Sequence, residues 1–277
     1  MARNVEGSKR GFGYDKIAKV LSIFANGNRI TGFSDFETLY ADPTATATAA
    51  IGQKAEDPLG GVWRYCKAGA DLCAANTLNG AGCYSQPTDV TAGATAIGSY
   101  TLACSGSSDA SCSANQYQNG TIVIGGSSAG YRRFYHIKGN TASATTTTTL
   151  TLYHPITYTL AGTEWATIVP SPWADVRDMS AAAGYMSVVC WPLRAVSSGY
   201  YFWAKTRGPV FGIVYSTVPG AAANDRIITT APADGSIRLG DEAWDDAGES
   251  TQHLGWLIPR TGGDYAAGDQ TFMLQLE

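Results

Sequence analysis

Alternation of period two dominates the chain from residue 60 onward. Its cleanest instance runs from Thr145 to Leu160. Leu150, Leu152, Ile156, Tyr158 and Leu160 take the even positions; Thr145, Thr147, Thr149, Thr151, Thr157 and Thr159 take the odd ones. Such a period sends the two sets to opposite faces of a strand. Pro155 interrupts the run, which predicts an edge strand or two strands with a bend. Shorter runs behave alike. Val62–Lys67 alternates up to Ala68-Gly69-Ala70, Thr121–Ile124 follows the turn dipeptide Asn119-Gly120, and Tyr131–Lys138 closes at Gly139-Asn140. Beyond Pro170-Ser171-Pro172, strand signals recur over 185–191, 200–206, 210–217, 226–230, 236–239, 254–258 and 271–276. The densest stretch is Gly199–Thr217, two aromatic and β-branched runs around Arg207-Gly208-Pro209. It predicts two strands joined by a tight break, with the odd-numbered face carrying Tyr201, Trp203, Lys205 and Arg207 outward.

The first fifty residues differ. Ile17, Val20, Leu21 and Phe24 recur at helical spacing and Asn26-Gly27 supplies a stop, so a short helix is expected over 15–25. Ser34-Asp35-Phe36-Glu37 has capping-box form and predicts a second helical turn. After Asp42, the chain to Ala50 is only Pro, Thr and Ala, a linker or extended arm. The pattern therefore predicts an all-β protein of two small sandwich- or barrel-like domains. An N-terminal arm with a short helix occupies 1–50. A first β domain with a Cys/Gly/Ser-rich insertion covers 51–170, and a second, barrel-like one covers 171–277.

Composition narrows the function classes. The 277 residues suffice to bury a sizeable core. Hydrophobic residues make up 44% and charged residues 15%, against roughly 25% charged in ordinary soluble domains. Low charge with abundant Thr, Ala and Gly suits close-packed β structure. A net charge of −4 argues against a nucleic-acid partner, which needs a basic footprint. No apolar run approaches the roughly 20 residues of a membrane span, and residues 1–10 lack the apolar core of a signal peptide. Synthesis in a cytoplasm is the expectation.

Chemical motifs are sparse. Gly126-Ser127-Ser128-Ala129-Gly130 has the G-x-S-x-G form of a nucleophile elbow, with His253 and Asp175 as conceivable triad partners. A strand rather than a helix is expected after it, so a hairpin loop is the better reading. His136, His154 and His253 are widely spaced and show no local metal motif. Acids gather at Asp241, Glu242, Asp245, Asp246 and Glu249 around Trp244, a pattern open to sugar or calcium binding but ordinary for a solvated loop. Asn119-Gly120-Thr121 fits a glycosylation sequon but reads more simply as a turn. Six cysteines, Cys66, Cys73, Cys83, Cys104, Cys112 and Cys190, show no C-x-x-C spacing. Cys73–Cys83 and Cys104–Cys112 are candidate short-loop disulfides, with buried free thiols as the alternative. No cofactor or metal site is called for.

Three pieces, in order, carry a resemblance. The first is Gly52, Asp57, Gly60 or Gly61, Arg64-Tyr65, Ala68-Gly69-Ala70 and Leu72. The second is 114–124, then Gly130, Tyr135, Ile137 and Gly139-Asn140, then the Thr/Leu strand ending in Tyr153-His154-Pro155-Ile156. The third is Gly199-Tyr-Tyr-Phe-Trp followed by Gly208-Pro209. Together they resemble structural proteins of tailed-phage heads that decorate or cement the capsid, over about residues 40–217; the Cys-rich stretch 73–112 departs from that pattern. The resemblance implies a virion protein of the capsid surface without catalysis, bound to the major capsid protein and to copies of itself, for instance as a trimer. It implies no nucleic-acid or membrane partner. Candidate contact residues are Phe12, Tyr14, Ile17 and Phe24 of the arm, and Trp63 and Trp203 as exposed aromatics. The rival readings are a carbohydrate- or receptor-binding module centred on Trp244, Asp245 and Asp246, and a hydrolase using Ser128.

Overall fold

A computed structural model describes residues 36–57, 59–73, 78–84, 87–106, 112–126, 132–144, 146–179, 186–214, 227–230, 235–239, 252–258 and 270–277, and the strand backbone at 12–15, 20–25 and 28–29. The described chain is almost wholly β. Near the N-terminus, β1 (Phe12–Asp15), β2 (Val20–Ala25) and β3 (Asn28–Arg29) form an antiparallel sheet. Residues 20–25 are thus a strand where a helix was expected. Val20-Leu-Ser-Ile-Phe is rich in β-branched and aromatic residues, and a short apolar run fits either period. The helix found, α1, is the single turn Phe36–Leu39, at the capping-box sequence.

The chain divides into two units, one formed by Met1–Gly82 with Arg177–Glu277, the other by Cys83–Val176. The second unit runs from Cys83 to Val176, and residues 51–82 lie in the first. The reason lies in strand pairing. β4 (Lys54–Glu56) and β5 (Val62–Lys67) pair with each other, and β5 then pairs with a strand beyond residue 200. The chain leaves the first unit within β6 (Ala81–Cys83).

The second unit is a closed barrel. Its strands are β7 (Thr88–Ala92), β8 (Thr101–Ser105), β9 (Thr121–Gly125), β10 (Arg132–Asn140), β11 (Thr147–Leu152) and β12 (Glu164–Val169), in the order β10-β11-β8-β7-β12-β9. β9, β10 and β11 are successive antiparallel neighbours and β12 returns beside β9, a Greek key. Period two fills the barrel. Val90, Leu102, Ile122, Ile124, Ile137, Leu150, Leu152 and Ile168 point inward and are buried, each contributing roughly 1.5–3 kcal/mol by leaving water. Thr147 and Thr151 face out. β11 is paired on both sides, by β8 and β10, so it is no edge strand. Pro155 lies past its end, and Ile156 and Leu160 still reach the core.

Glu164 is the first residue of β12. Its carboxylate accepts from the backbone N–H groups of Ala161 (2.8 Å), Gly162 (2.9 Å) and Thr163 (3.1 Å). These donors, Ala161's foremost, hold its carboxyl below the ordinary 4.5, against the upward push of burial. A lowered folded pKa means the unfolded chain takes up this proton first as pH falls. The stability it confers is therefore fully present above pH 4.5 and lost as pH drops through the lower folded value. In urea titrations, the stability gap between the wild type and Glu164→Gln should narrow from pH 7 to pH 3. A gap that stays constant over that range would refute the assignment.

The first unit is built on a seven-stranded sheet. After β13 (Val176–Asp178) and β14 (Val188–Cys190) comes β15 (Tyr201–Gly212), then β16 (Ile227–Thr230), β17 (Ile237–Leu239), β18 (His253–Leu257) and β19 (Gln270–Gln275). The sheet order is β17-β16-β18-β19-β15-β5-β4. β15 is one continuous strand, not two with a break. Tyr201–Lys205 pair with Lys67–Trp63 of β5, and Arg207–Gly212 pair with Gln275–Gln270 of β19. The register shift between Lys205 and Arg207, with Gly208 at φ +111°, marks a bulge where the strand changes partners. Pro209 sits beyond the end of β5, where a missing donor is tolerated.

One face of this sheet buries Val188, Trp191, Val210, Ile228, Ile237, Leu254, Phe272 and Leu274. The Trp191 indole meets Phe272 edge-on at 5.1 Å and donates to the Phe211 carbonyl at 2.7 Å. The expected linker packs against the sheet at β5 and β15. Thr44 pairs with Tyr201, the Thr48 N–H donates to Tyr65 Oη at 2.9 Å, and Arg194 reaches Asp42 and the Tyr40 carbonyl. Leu39, Ala55 and Trp63 form a second small core beneath it.

Candidate binding sites

The structure redistributes the residues singled out in the sequence. Trp63 is no surface residue: it is fully buried, because residues 39–48 lie over the face expected to be outermost. Trp203 is half-buried against that cluster and meets Tyr65 at 5.1 Å. Lys205, expected outside, is buried too. Tyr14, Phe12 and Phe24 sit on the β1–β2 hairpin backbone. Ile17, Ser128, Trp244, Asp245 and Asp246 lie outside the described residues.

The four cysteines considered for disulfides, Cys73, Cys83, Cys104 and Cys112, form none, and neither do Cys66 and Cys190. Each buried one has another role. Cys104 is an inward barrel residue of β8, and burial pushes its thiol up to about 12, as it does that of Cys73. Cys112 Sγ lies 3.4 Å from Thr148 Oγ1 and accepts from Asn140 Nδ2 at 3.3 Å. Cys66 and Cys190, far apart in sequence, meet: burial first, then the Cys190 thiol, raises the Cys66 pKa. Thiols so placed are poor nucleophiles.

Three arrangements could bind something. The first lies on the barrel's outer face, where three cross-strand rows run over β10, β9 and β12. They are Arg132–Gly125–Trp165, Phe134–Val123–Thr167 and His136–Thr121–Val169. Phe134 is 68% and Trp165 40% exposed. Gly125 makes this possible, since a Cβ there would lie 2.1 Å from the indole that crosses it. The Arg132 guanidinium stands 5.3 Å from the same ring, and Asp89 accepts from Thr167 Oγ1 at 2.7 Å. The second is a hollow of about 290 Å³ lined by Asn119, His136, Tyr153 and His154. It brings together two histidines that sequence spacing kept apart. Tyr153 Oη donates to Asn119 Oδ1 at 3.1 Å. Among the described residues no group of three His, Cys, Asp or Glu side chains is placed to hold a metal ion.

The third is in the first unit, around an ion pair that no sequence motif announced. Asp57 and Lys205 are each 4% exposed, with Lys205 Nζ 3.8 Å from Asp57 Oδ2. Both Asp57 oxygens are engaged: Oδ1 accepts from the N–H groups of Leu59 (2.9 Å) and Gly61 (2.8 Å), and Oδ2 from Trp63 Nε1 (3.1 Å). Lys205 Nζ donates to the Pro209 carbonyl at 3.0 Å and stands 5.1 Å from the centre of the Trp63 ring. Burial lowers its pKa from 10.5, against the opposing pull of Asp57. A cavity of about 450 Å³ opens beside the pair.

No protein-family model, no curated protein and no solved structure matches the chain.

Proposed function

We propose that the protein is a structural component of a phage head, bound to the outside of the major capsid protein shell as a homo-oligomer such as a trimer, and that it performs no catalysis. The observation that carries this reading is the aromatic strip on the barrel. Phe134 and Trp165 stand exposed on the outer face of β9, β10 and β12, with Arg132 beside them. Protein interfaces are enriched at their centre in aromatics and Arg and depleted in Lys, Glu and Asp, and Trp and Arg dominate their energetics. The resemblance carried by the three sequence pieces supports the major capsid protein as the partner. A chain with 15% charged residues, whose regular structure among the described residues is nearly all strand, suits a shell component that must stay folded against flat neighbours.

The test is co-sedimentation with expanded empty shells of the cognate major capsid protein. Stoichiometric binding is expected. Phe134→Asp should weaken it by about 30-fold, as loss of a hot-spot residue does. That variant should melt like the wild type, because Phe134 is exposed. Failure to bind shells would overturn the reading. Binding to glycans instead of shells, lost in Trp165→Ala, would establish the receptor-binding alternative.

A further inference from the structure

We propose that the cavity beside the Asp57–Lys205 pair is a binding site for a small amphiphile with an apolar body and a carboxylate head. The site belongs to the first unit and does not depend on any capsid role. Its volume of about 450 Å³ falls within the roughly 300–1,000 Å³ of small-molecule sites. Tyr40, Leu59, Leu193, Pro209 and Phe211 line it, so its walls are apolar, and the ion pair stands among them. Leu59 and Phe211 are 82% and 53% exposed, among the most exposed large apolar side chains described. A ligand body lying against them would take that surface out of water.

The head group follows from the hydrogen-bond inventory at the pair. Both Asp57 oxygens already accept, from two backbone N–H groups and one indole N–H. The carboxylate therefore has little capacity left for a donor ligand. Lys205 is the reverse case. Its ammonium carries three donors and makes one hydrogen bond, to Pro209, while Asp57 Oδ2 stands at 3.8 Å, beyond hydrogen-bond distance. It lines the cavity. An anionic oxygen entering from the cavity would meet a poorly solvated ammonium with donors to spare, where charge-assisted bonds are strongest. An amine head would meet the same charge and be repelled. A hydroxyl head would gain a neutral hydrogen bond only.

The purified full chain is titrated calorimetrically with decanoate, decanol and decylamine, below their aggregation limits. Decanoate should bind saturably at one site per chain, at least about tenfold more tightly than decanol, with decylamine weakest. Phe211→Glu, an exposed rim position that should leave folding intact, should lose decanoate binding about tenfold or more by placing a like charge at the mouth. Absence of a saturable site overturns the proposal. So does equal affinity for acid and alcohol, or a folded Phe211→Glu variant that binds decanoate as the wild type does. Shell binding is a separate measurement, so either proposal can fail alone.

Discussion

Asp57→Ala should cost about 3–5 kcal/mol of stability, the range for removing one partner of a buried ion pair. The side chain is almost fully enclosed. Its loss leaves the Lys205 ammonium without its counter-charge, and leaves the N–H groups of Leu59, Gly61 and Trp63 Nε1 without their acceptor. Local sequence is committed to this arrangement. The Asp57 N–H donates to the Gly61 carbonyl and the Gly60 N–H to the Asp57 carbonyl, closing a tight turn. A Cβ on Gly61 would lie 2.2 Å from Asp57 Oδ2, so glycine there lets the carboxylate fold back over the turn. Asp57→Asn should lose less, because it keeps one oxygen acceptor. Asp57→Asn combined with Lys205→Met should recover much of the loss, since an uncharged pair leaves no orphan ion. Equilibrium denaturation of Asp57→Asn, Lys205→Met and the double variant beside the wild type forms the cycle that isolates the coupling. A loss below about 1 kcal/mol for Asp57→Ala would place the pair among weak surface bridges instead.

That pair also shows where sequence reading stops. Asp57, Gly60 or Gly61, and Arg64 were visible as a spaced motif, and Lys205 as a polar residue on an aromatic strand. Nothing in either stretch says that they meet, because β5 and β15 pair across more than 130 residues of intervening chain. Periodicity reports which face a residue takes and not which strand lies beside it. The same limit explains the divided first unit: each of its strands looks ordinary, and only the β5–β15 ladder brings residues 62–67 back to the C-terminal half. Faces were read well where one side meets water. Leu150 and Leu152 point inward and Thr147 and Thr151 outward, as alternation predicts. Faces were misread where both sides are covered. Trp63 and Lys205 share the odd-numbered side of the β5–β15 pair, and residues 39–48 bury it. Charge on Lys205 suggested exposure, whereas an ion partner, a carbonyl and an indole face make burial tolerable. The barrel's aromatic strip was half legible. Phe134 falls on a strand expected over 131–138, but the strand that carries Trp165 was not among those expected, and Gly125, which makes room for the indole, became meaningful only through cross-strand register.

Gly255→Ala should be the most damaging single-methyl addition in the chain's described part. Gly255 has φ +152°, a conformation essentially reserved for glycine, and a Cβ there would lie 1.8 Å from the Met273 carbonyl oxygen. That oxygen is backbone in the neighbouring strand. It cannot rotate aside, and moving it means breaking the β18–β19 register at Gly255↔Leu274. The two strands supply Leu254, Leu257, Phe272 and Leu274 to the core of the first unit, so local relief would be taken from burial. Backbone strain of this kind costs about 1–3 kcal/mol, and lost core contacts add about 2–5 kcal/mol for each large side chain displaced. Gly60→Ala is the matched control. Gly60 also has positive φ, at +82°, but a Cβ there meets nothing within 4 Å. It should therefore show the backbone term alone, about 1 kcal/mol. Denaturant titrations followed by tryptophan fluorescence separate the two cases, since Trp191 packs on Phe272 in the affected core. Equal losses for both variants would mean that the β18–β19 ladder yields without cost. A Gly255 loss at least about 3 kcal/mol beyond the control is the outcome that the collision with Met273 requires.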